Sequence, residues 1–316
     1  MRKRWVCLLA AACLLLAFAS AEGKVFGPEA EPFDDSTPLL TVYVGTLLGG
    51  DMMLITLADR SMFVDLGTEK NIAEINAVIK RAGIEKADFF FNTHPHRDHI
   101  GGLVPLLEEG FPVGKMFTFF PHNLVGNAIS QVKALRTAEA YGVGIADLKT
   151  EDRIPFGDAE LIAYRVPDEM IARSDMNVND QSAMLMVRYG DCSILLTGDV
   201  ENRAQKVLAE LYDLKADILK YPHHGLGRME EPFMREIDPE FVVITHGAWD
   251  SNIAQEQLRE AGYHRLTFAT WGIVVMQTDG SRWIVHQEIM PERQEFADMY
   301  LQEHDWIRPQ ANGRKK

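Results

Sequence analysis

One segment constrains this chain more than any other: Thr93-His94-Pro95-His96-Arg97-Asp98-His99-Ile100-Gly101-Gly102 follows directly on the apolar run Phe89-Phe90-Phe91. Three imidazoles and a carboxylate fall within six residues. Imidazole nitrogen and carboxylate oxygen suit zinc, manganese or iron, and a strand end running into a loop can present alternate side chains at one point. So many polar groups beside a hydrophobic strand are costly unless satisfied, and a pair of metal ions satisfies them. The competing reading is a solvated, His-rich surface turn.

Two later segments weigh against that turn. Ser193-Ile194-Leu195-Leu196-Thr197-Gly198-Asp199 is an apolar strand ending in Gly-Asp, and the next strand, over 216–221, ends in Pro222-His223-His224-Gly225. Asp199 alone could be a cap for the helix expected at 202–211. Around these segments strands and helices alternate. Strands are expected at 39–48, 52–57, 61–66, 88–92, 115–120, 161–165, 183–189, 193–197, 217–220, 241–245, 272–278 and 283–286. Helices are expected at 71–81, 102–109, 127–141, 202–211 and 253–261, the first from the spacing of Ile72, Ile75, Val78 and Ile79 before Gly83. With no internal repeat or linker inside 39–290, this is an α/β (α+β) chain whose mixed layers enclose one core. Residues 22–38, rich in Pro, Glu, Asp and Gly, read as an extended lead-in without structure of its own, and 291–316 as a charged tail with a terminal helix and a frayed basic end. At 316 residues, 47% hydrophobic and 25% charged, the composition excludes a disordered chain, a collagen-like repeat and a disulfide-stapled miniprotein.

The first residues read as an address. Arg2, Lys3 and Arg4 precede an apolar run from Trp5 to Phe18 that ends in Ala19-Ser20-Ala21, the three parts of a secretory signal peptide over 1–21. The run is shorter than the ~20 residues a membrane-crossing helix needs. Lipidation at Cys13 is a minor alternative, since Ala10-Ala11-Ala12 is a poor lipobox. Cleavage takes the formal charge from −14 to −17 and leaves Cys192 as the sole thiol, with no internal disulfide. In the strand-like run Asp191-Cys-Ser-Ile-Leu-Leu, Cys192 reads as a buried structural thiol. The acidic balance repels phosphate backbones, so long duplex DNA is an unlikely partner and a small or short anionic substrate is favoured.

The string His-x-His-x-Asp-His followed by Gly-Gly resembles the signature of the metallo-β-lactamase fold superfamily. Val42-Tyr-Val-Gly45, Gly50-Asp51, Phe63-Val64-Asp65-Leu66-Gly67, Asn179-Asp180-Gln181-Ser182, Leu195 to Asp199, Lys220 to Gly225 and Trp271-Gly-Ile-Val-Val stand in the order seen in the exported domain of ComEC-type competence proteins and their free-standing relatives. The likeness spans about 39–286, without the membrane-channel domain of the competence protein, so no transmembrane domain is expected after signal cleavage. It implies a four-layer αββα sandwich, released or at the cell surface, with two divalent ions, zinc or alternatively manganese or iron. His94 and His96 would hold one ion, Asp98, His99 and His224 the other, with Asp199 bridging and a hydroxide held between the ions as the attacking group. Asp98 thus counts as both ligand and catalytic residue. His223 would stabilise the substrate oxyanion or protonate the leaving group. The activity implied is hydrolysis of a phosphodiester or related phosphate ester. The alternatives are a lactamase-type hydrolase of another ester or amide, and a non-catalytic metal-binding protein.

One departure stands out. Many metallo-β-lactamase enzymes supply a third histidine to the first ion, and the only histidine between Gly102 and Asp199 is His122. The position implied by motif order falls at 179–182, where Asp180 or Asn179 either completes the site, orients a ligand, or simply turns the loop. His246 reads as slightly more structural than functional. His264 and His286 read as surface or core, and Trp249 and Trp271 as core or rim aromatics.

Overall fold

The computed structural model describes residues 23–34, 36–120, 129–246 and 253–309. The segment 1–21 expected to be a signal peptide, with Cys7 and Cys13, as well as His122, Trp249 and the last seven residues, lies outside them. In chain order the elements are β1 (Val25–Phe26), β2 (Leu40–Val44), β3 (Met52–Leu57), β4 (Arg60–Leu66), α1 (Ile72–Ala82), β5 (Ala87–Asn92), α2 (Arg97–Ile100), α3 (Leu103–Glu108), β6 (Val113–Thr118), α4 (Ile129–Ala140), β7 (Gly144–Asp147), β8 (Arg153–Phe156), β9 (Ala159–Tyr164) and α5 (Asp168–Ile171). There follow β10 (Met184–Tyr189), β11 (Cys192–Leu196), α6 (Asn202–Leu211), β12 (Ile218–Lys220), α7 (Glu231–Ile237), β13 (Phe241–Ile244), α8 (Ile253–Glu260), β14 (Leu266–Phe268), β15 (Gly272–Thr278), β16 (Trp283–Ile289) and α9 (Pro291–Glu303).

The strands form two sheets, of nine in the order β1-β16-β15-β2-β3-β4-β5-β6-β7 and of seven in the order β14-β13-β12-β11-β10-β9-β8. Successive side chains of a strand point to opposite faces, and here both faces are covered, so the strands read as near-continuous apolar runs. Phe91 and Val64 join Leu185, Ile194 and Val243 in a core between the sheets. Phe90 and Phe63 instead pack with Ile75, Leu103 and Ala134 of the helices over the first sheet. Met186 and Leu195 meet Ala204, Leu208, Phe233 and Leu258 over the second. The result is the expected αββα sandwich.

Four features departed from the sequence reading. The lead-in contributes a strand, since β1 pairs in parallel with β16 and Val25 is buried in the inter-sheet core. The tail forms the terminal helix expected, α9, but that helix is packed, with Ala297 and Tyr300 buried against Phe268 and Trp271. Strands β7, β8 and β14 and helix α7 are too short for periodicity to announce. Finally, Arg97–Ile100, inside the histidine string, is a single helical turn. Among the described residues no helix is long and apolar enough to cross a membrane.

Each sheet has a parallel part. In the first, β4, β5 and β6 run in parallel; in the second, β11, β12, β13 and β14 do. The histidine string leaves the carboxyl end of β5, and Asp199 and His224 follow the carboxyl ends of β11 and β12. Crevices at the carboxyl ends of parallel strands are where open α/β sheets place ligands.

Candidate metal centre

The chain turns sharply at each point where it delivers a polar group. After β5, His94 is fully buried, His96 is exposed at the start of α2, Asp98 stands half-open at the mouth and His99 is buried again. The glycines that close the string allow this helix to sit against β4: a Cβ on Gly102 would lie 2.0 Å from the Leu66 carbonyl oxygen. After β11, Gly198 adopts φ 52°, and a Cβ there would meet Thr93 at 2.9 Å. After β12, His223 and His224 themselves take left-handed backbone, φ 47° and 55°. Such conformations are strained for residues with a Cβ and concentrate at functional sites. The His223 N–H is held by the Gly198 carbonyl at 3.1 Å.

These turns converge on one oxygen. Asp199 Oδ2 lies 3.1 Å from His99 Nε2, 3.4 Å from His224 Nε2, 3.8 Å from His94 Nε2 and 3.9 Å from His223 Nε2. Asp98 Oδ2 is 3.5 Å from His224 Nε2 and 4.0 Å from His99 Nε2, and His94 Nε2 is 3.0 Å from His96 Nδ1. The structure thus brings together His94, His96, Asp98, His99, Asp199, His223 and His224, with the His94 ring centroid 4.7 Å from that of His96 and 4.1 Å from that of His99.

Behind the imidazoles sits a layer of acceptors. His99 Nδ1 faces Asp65 Oδ2 at 2.7 Å, His224 Nδ1 faces Asp51 Oδ1 at 3.0 Å, and His94 Nδ1 faces Thr93 Oγ1 at 3.0 Å. A carboxylate accepts only, so each of the first two imidazoles donates its Nδ1 proton outward, which leaves Nε2, the nitrogen nearest Asp199, as the one that would take a metal ion in place of its own proton. Sequence reasoning did not single out Asp51 or Asp65 as site residues, although both stood in strings that resembled the superfamily. Ligand atoms of Asp51, His99, Asp199 and His224, all buried, lie within 4.8 Å of one another.

The electrostatics are those of a site built for cations. Burial disfavours the charge on Asp199, but His99 and His224 override it and hold the carboxyl well below the usual carboxylate range. Burial likewise opposes charging His99, yet the Asp199 and Asp65 carboxylates push it up to about 10. His224 is raised by Asp199 and Asp51 against the same penalty, whereas His94 and His96 are pushed down chiefly by burial and stay neutral. His224 Nε2, a buried atom in the cluster, has no hydrogen-bond partner among the described residues. Orphaned buried atoms of this kind are rare, and a divalent cation is a partner that suits an imidazole nitrogen beside two carboxylates. The residues present therefore fit a divalent metal.

The segment where a third histidine would fall is occupied differently. Asp180 is buried, with Oδ1 accepting the Ala204 N–H at 3.2 Å and Oδ2 the Asn177 N–H at 3.4 Å, so its carboxylate tethers the loop to the start of α6 rather than meeting the imidazoles. Asn179 is the nearer residue, its Nδ2 2.9 Å from Glu201 Oε1 and 3.4 Å from His223 Nε2. Glu201 Oε1 also faces His223 Nδ1 at 3.2 Å. Sequence reasoning missed Glu201, whose only signal is its place two residues after Asp199. His246 is partly buried, with its N–H on the His224 carbonyl at 3.2 Å. His264 lies exposed against Trp306, His286 is 3.5 Å from Glu288, and Trp271 is core. Cys192 is a buried free thiol, as expected, and burial pushes it up to about 11.

No family model matches the chain. It is similar to ComE operon protein 3 of Bacillus subtilis, 29% identical over 169 residues that make up 52% of this chain and 20% of that protein. Recombination protein 2 of Haemophilus influenzae is 31% identical over 178 residues, 56% of this chain and 20% of that protein. The chain thus spans about a fifth of the length of these relatives. Among solved structures, the metallo-β-lactamase fold protein YhfI of Bacillus subtilis superposes with a TM-score of 0.52 at 13% identity, covering 76% of this chain and all of that one.

Proposed function

From the premise that the chain has the metallo-β-lactamase fold, we propose that it is an exported hydrolase that uses two divalent ions to cleave phosphodiester or related phosphate-ester bonds. The observation that carries the reading is one buried carboxylate oxygen with four imidazole nitrogens within 3.9 Å, opening onto a mouth lined by His96, Asp98 and His223. His94 and His96 with Asp199 would hold one ion, and Asp98, His99 and His224 with Asp199 the other; a donor set this rich in imidazole suits zinc. Bound there, two such ions supply an activated water at neutral pH and charge stabilisation at the attacked centre.

The chain's own residues do the rest. Asp65 and Asp51 fix the direction of the His99 and His224 lone pairs. His223, with a side chain 29% exposed at the mouth, is steadied by Glu201 through Nδ1, and its Nε2 faces the reacting region. From there it donates a hydrogen bond to the charge developing on substrate oxygen or a proton to the leaving group. Asn179 Nδ2 adds a second donor beside it.

The similarity to a protein named for recombination favours a phosphodiester over a lactam. So does the lack of a histidine at 179–182. The charge of −17 expected after signal removal favours a short substrate that reaches the cationic pocket without long contact with the surface. The basic, apolar and small-residue segments of 1–21 support export.

The test is hydrolysis of bis(p-nitrophenyl) phosphate by metal-loaded wild type and Asp199→Ala, with nitrocefin run alongside. Turnover of the phosphodiester that falls at least a hundredfold in the variant is expected. Equal rates, or turnover of nitrocefin alone, would contradict the proposal.

A further inference from the structure

Behind the imidazole cluster, one ammonium joins loops from both sheets. Lys220, the last residue of β12, is 1% exposed and forms an ion pair with Asp51, which is fully buried at the start of β3. The same Nζ donates to the Gly198 carbonyl at 3.0 Å and lies 3.9 Å from Asp199 Oδ1. Asp51 in turn accepts from Thr245 Oγ1 at 2.6 Å and from His224 Nδ1 at 3.0 Å, while its backbone N–H reaches the Asp98 carbonyl at 3.1 Å. Desolvating two charges is costly, and a well-packed apolar pair often serves stability as well or better. This pair instead sits where its charges act on two of the groups that face the metal site.

We infer that Lys220 and Asp51 are positioning residues for the metal centre. Asp51 keeps His224 in the tautomer that carries its proton on Nδ1, so that Nε2 presents a lone pair inward. Lys220 occupies the Oδ1 side of Asp199 and leaves Oδ2 to the imidazoles and the ions. It also engages Asp51 Oδ2, while Thr245 and His224 engage Oδ1. That marks Asp51 as an orienting group rather than a ligand, even though its distances alone admit it to the metal-holding set. The inference rests on the site's binding divalent ions and not on the identity of the substrate.

The two roles of Asp51 predict opposite results for Lys220→Met. If Asp51 orients, removing the ammonium leaves Asp199 and Asp51 free to shift and weakens binding. If Asp51 is a ligand, removing its competitor leaves binding equal or tighter. The experiment measures zinc affinity by chelator competition for wild type, Lys220→Met and the near-isosteric Asp51→Asn, together with the visible spectrum of the cobalt(II)-loaded proteins and their thermal melting. The expected result is an affinity about 10- to 100-fold weaker for one zinc equivalent in both variants. Shifted cobalt bands are expected in Asp51→Asn, whose amide can donate to Nδ1 and place the imidazole proton on the ligand nitrogen. Zinc bound as tightly by Lys220→Met, or unchanged affinity and spectrum in Asp51→Asn, overturns the inference alone. A wild type that takes up no zinc overturns the metal reading and this inference with it. Should Lys220→Met fail to fold, Asp51→Asn carries the test.

Discussion

At the scale of single residues, the centre is an outer layer of buried acceptors that aims an inner layer of imidazoles. The histidines and Asp199 were legible in the sequence because their side-chain types are rare and stand at the ends of apolar runs. Asp51, Asp65, Glu201 and Lys220 were not, because a lone charged residue in or beside a strand has no chemical signature until its partner is known. Asp65 accepts from Asn92 Nδ2, Thr93 N, Thr93 Oγ1 and His99 Nδ1, all of them buried. Asp65→Ala strands all four, so equilibrium unfolding in urea is expected to show a loss of about 3 kcal/mol, in the range for breaking a buried charged network. The Cys192 thiol gives a second prediction. Its folded value of about 11 lies above an unfolded value of about 8.5, so the thiol is neutral in both states below about pH 8. As pH rises from there the unfolded chain releases its proton first, and stability falls toward pH 11. Cys192→Ala is expected to flatten that slope, and the native thiol is expected to resist iodoacetamide at pH 8.

At the scale of elements, most strands that sequence patterning located have five to seven residues, with β12 and β13 at three and four the exceptions, whereas the missed β1, β7, β8 and β14 have two to four. So short a run carries no readable period and is made a strand by its neighbours. The two chain ends show the same effect. Val25 and Phe26 pair with Trp283 and Ile284, and the Lys24 and Val25 N–H groups reach Glu240, so β1 ties one sheet to the start of β13 in the other. Helix α9 packs Tyr300 against Phe268 and Trp271, with its hydroxyl on Gln255. Tyr300→Ala is therefore expected to cost about 3 kcal/mol, and to lower the melting temperature without changing the metal content. The close approach to β4 of the glycines that follow α2 is less tolerant. Gly102→Ala places a methyl on the Leu66 carbonyl, and the expected outcome is a loss of about 1–3 kcal/mol accompanied by weaker metal binding, because the turn carrying His99 must move.

At the scale of the whole molecule, the fold class followed from alternating strands and helices together with the histidine string. The pairing order of the sixteen strands among the described residues did not, because register between distant segments is fixed by packing that no local pattern records. The acidic surface acquires a specific meaning in this setting. With the proposed metal ions bound, a cationic pocket inside a negatively charged body would admit small esters more readily than long polyanions. Retention of a long DNA duplex in a filter-binding assay at 150 mM salt is expected to be absent, while hydrolysis of a short phosphodiester changes little with salt. The claim on which the rest depends is that the pocket is a dinuclear metal centre. Elemental analysis of the purified protein after reconstitution with zinc and removal of excess tests it most directly. Two zinc ions per chain are expected, falling below one in Asp199→Ala; fewer than one per chain in the wild type would contradict the claim.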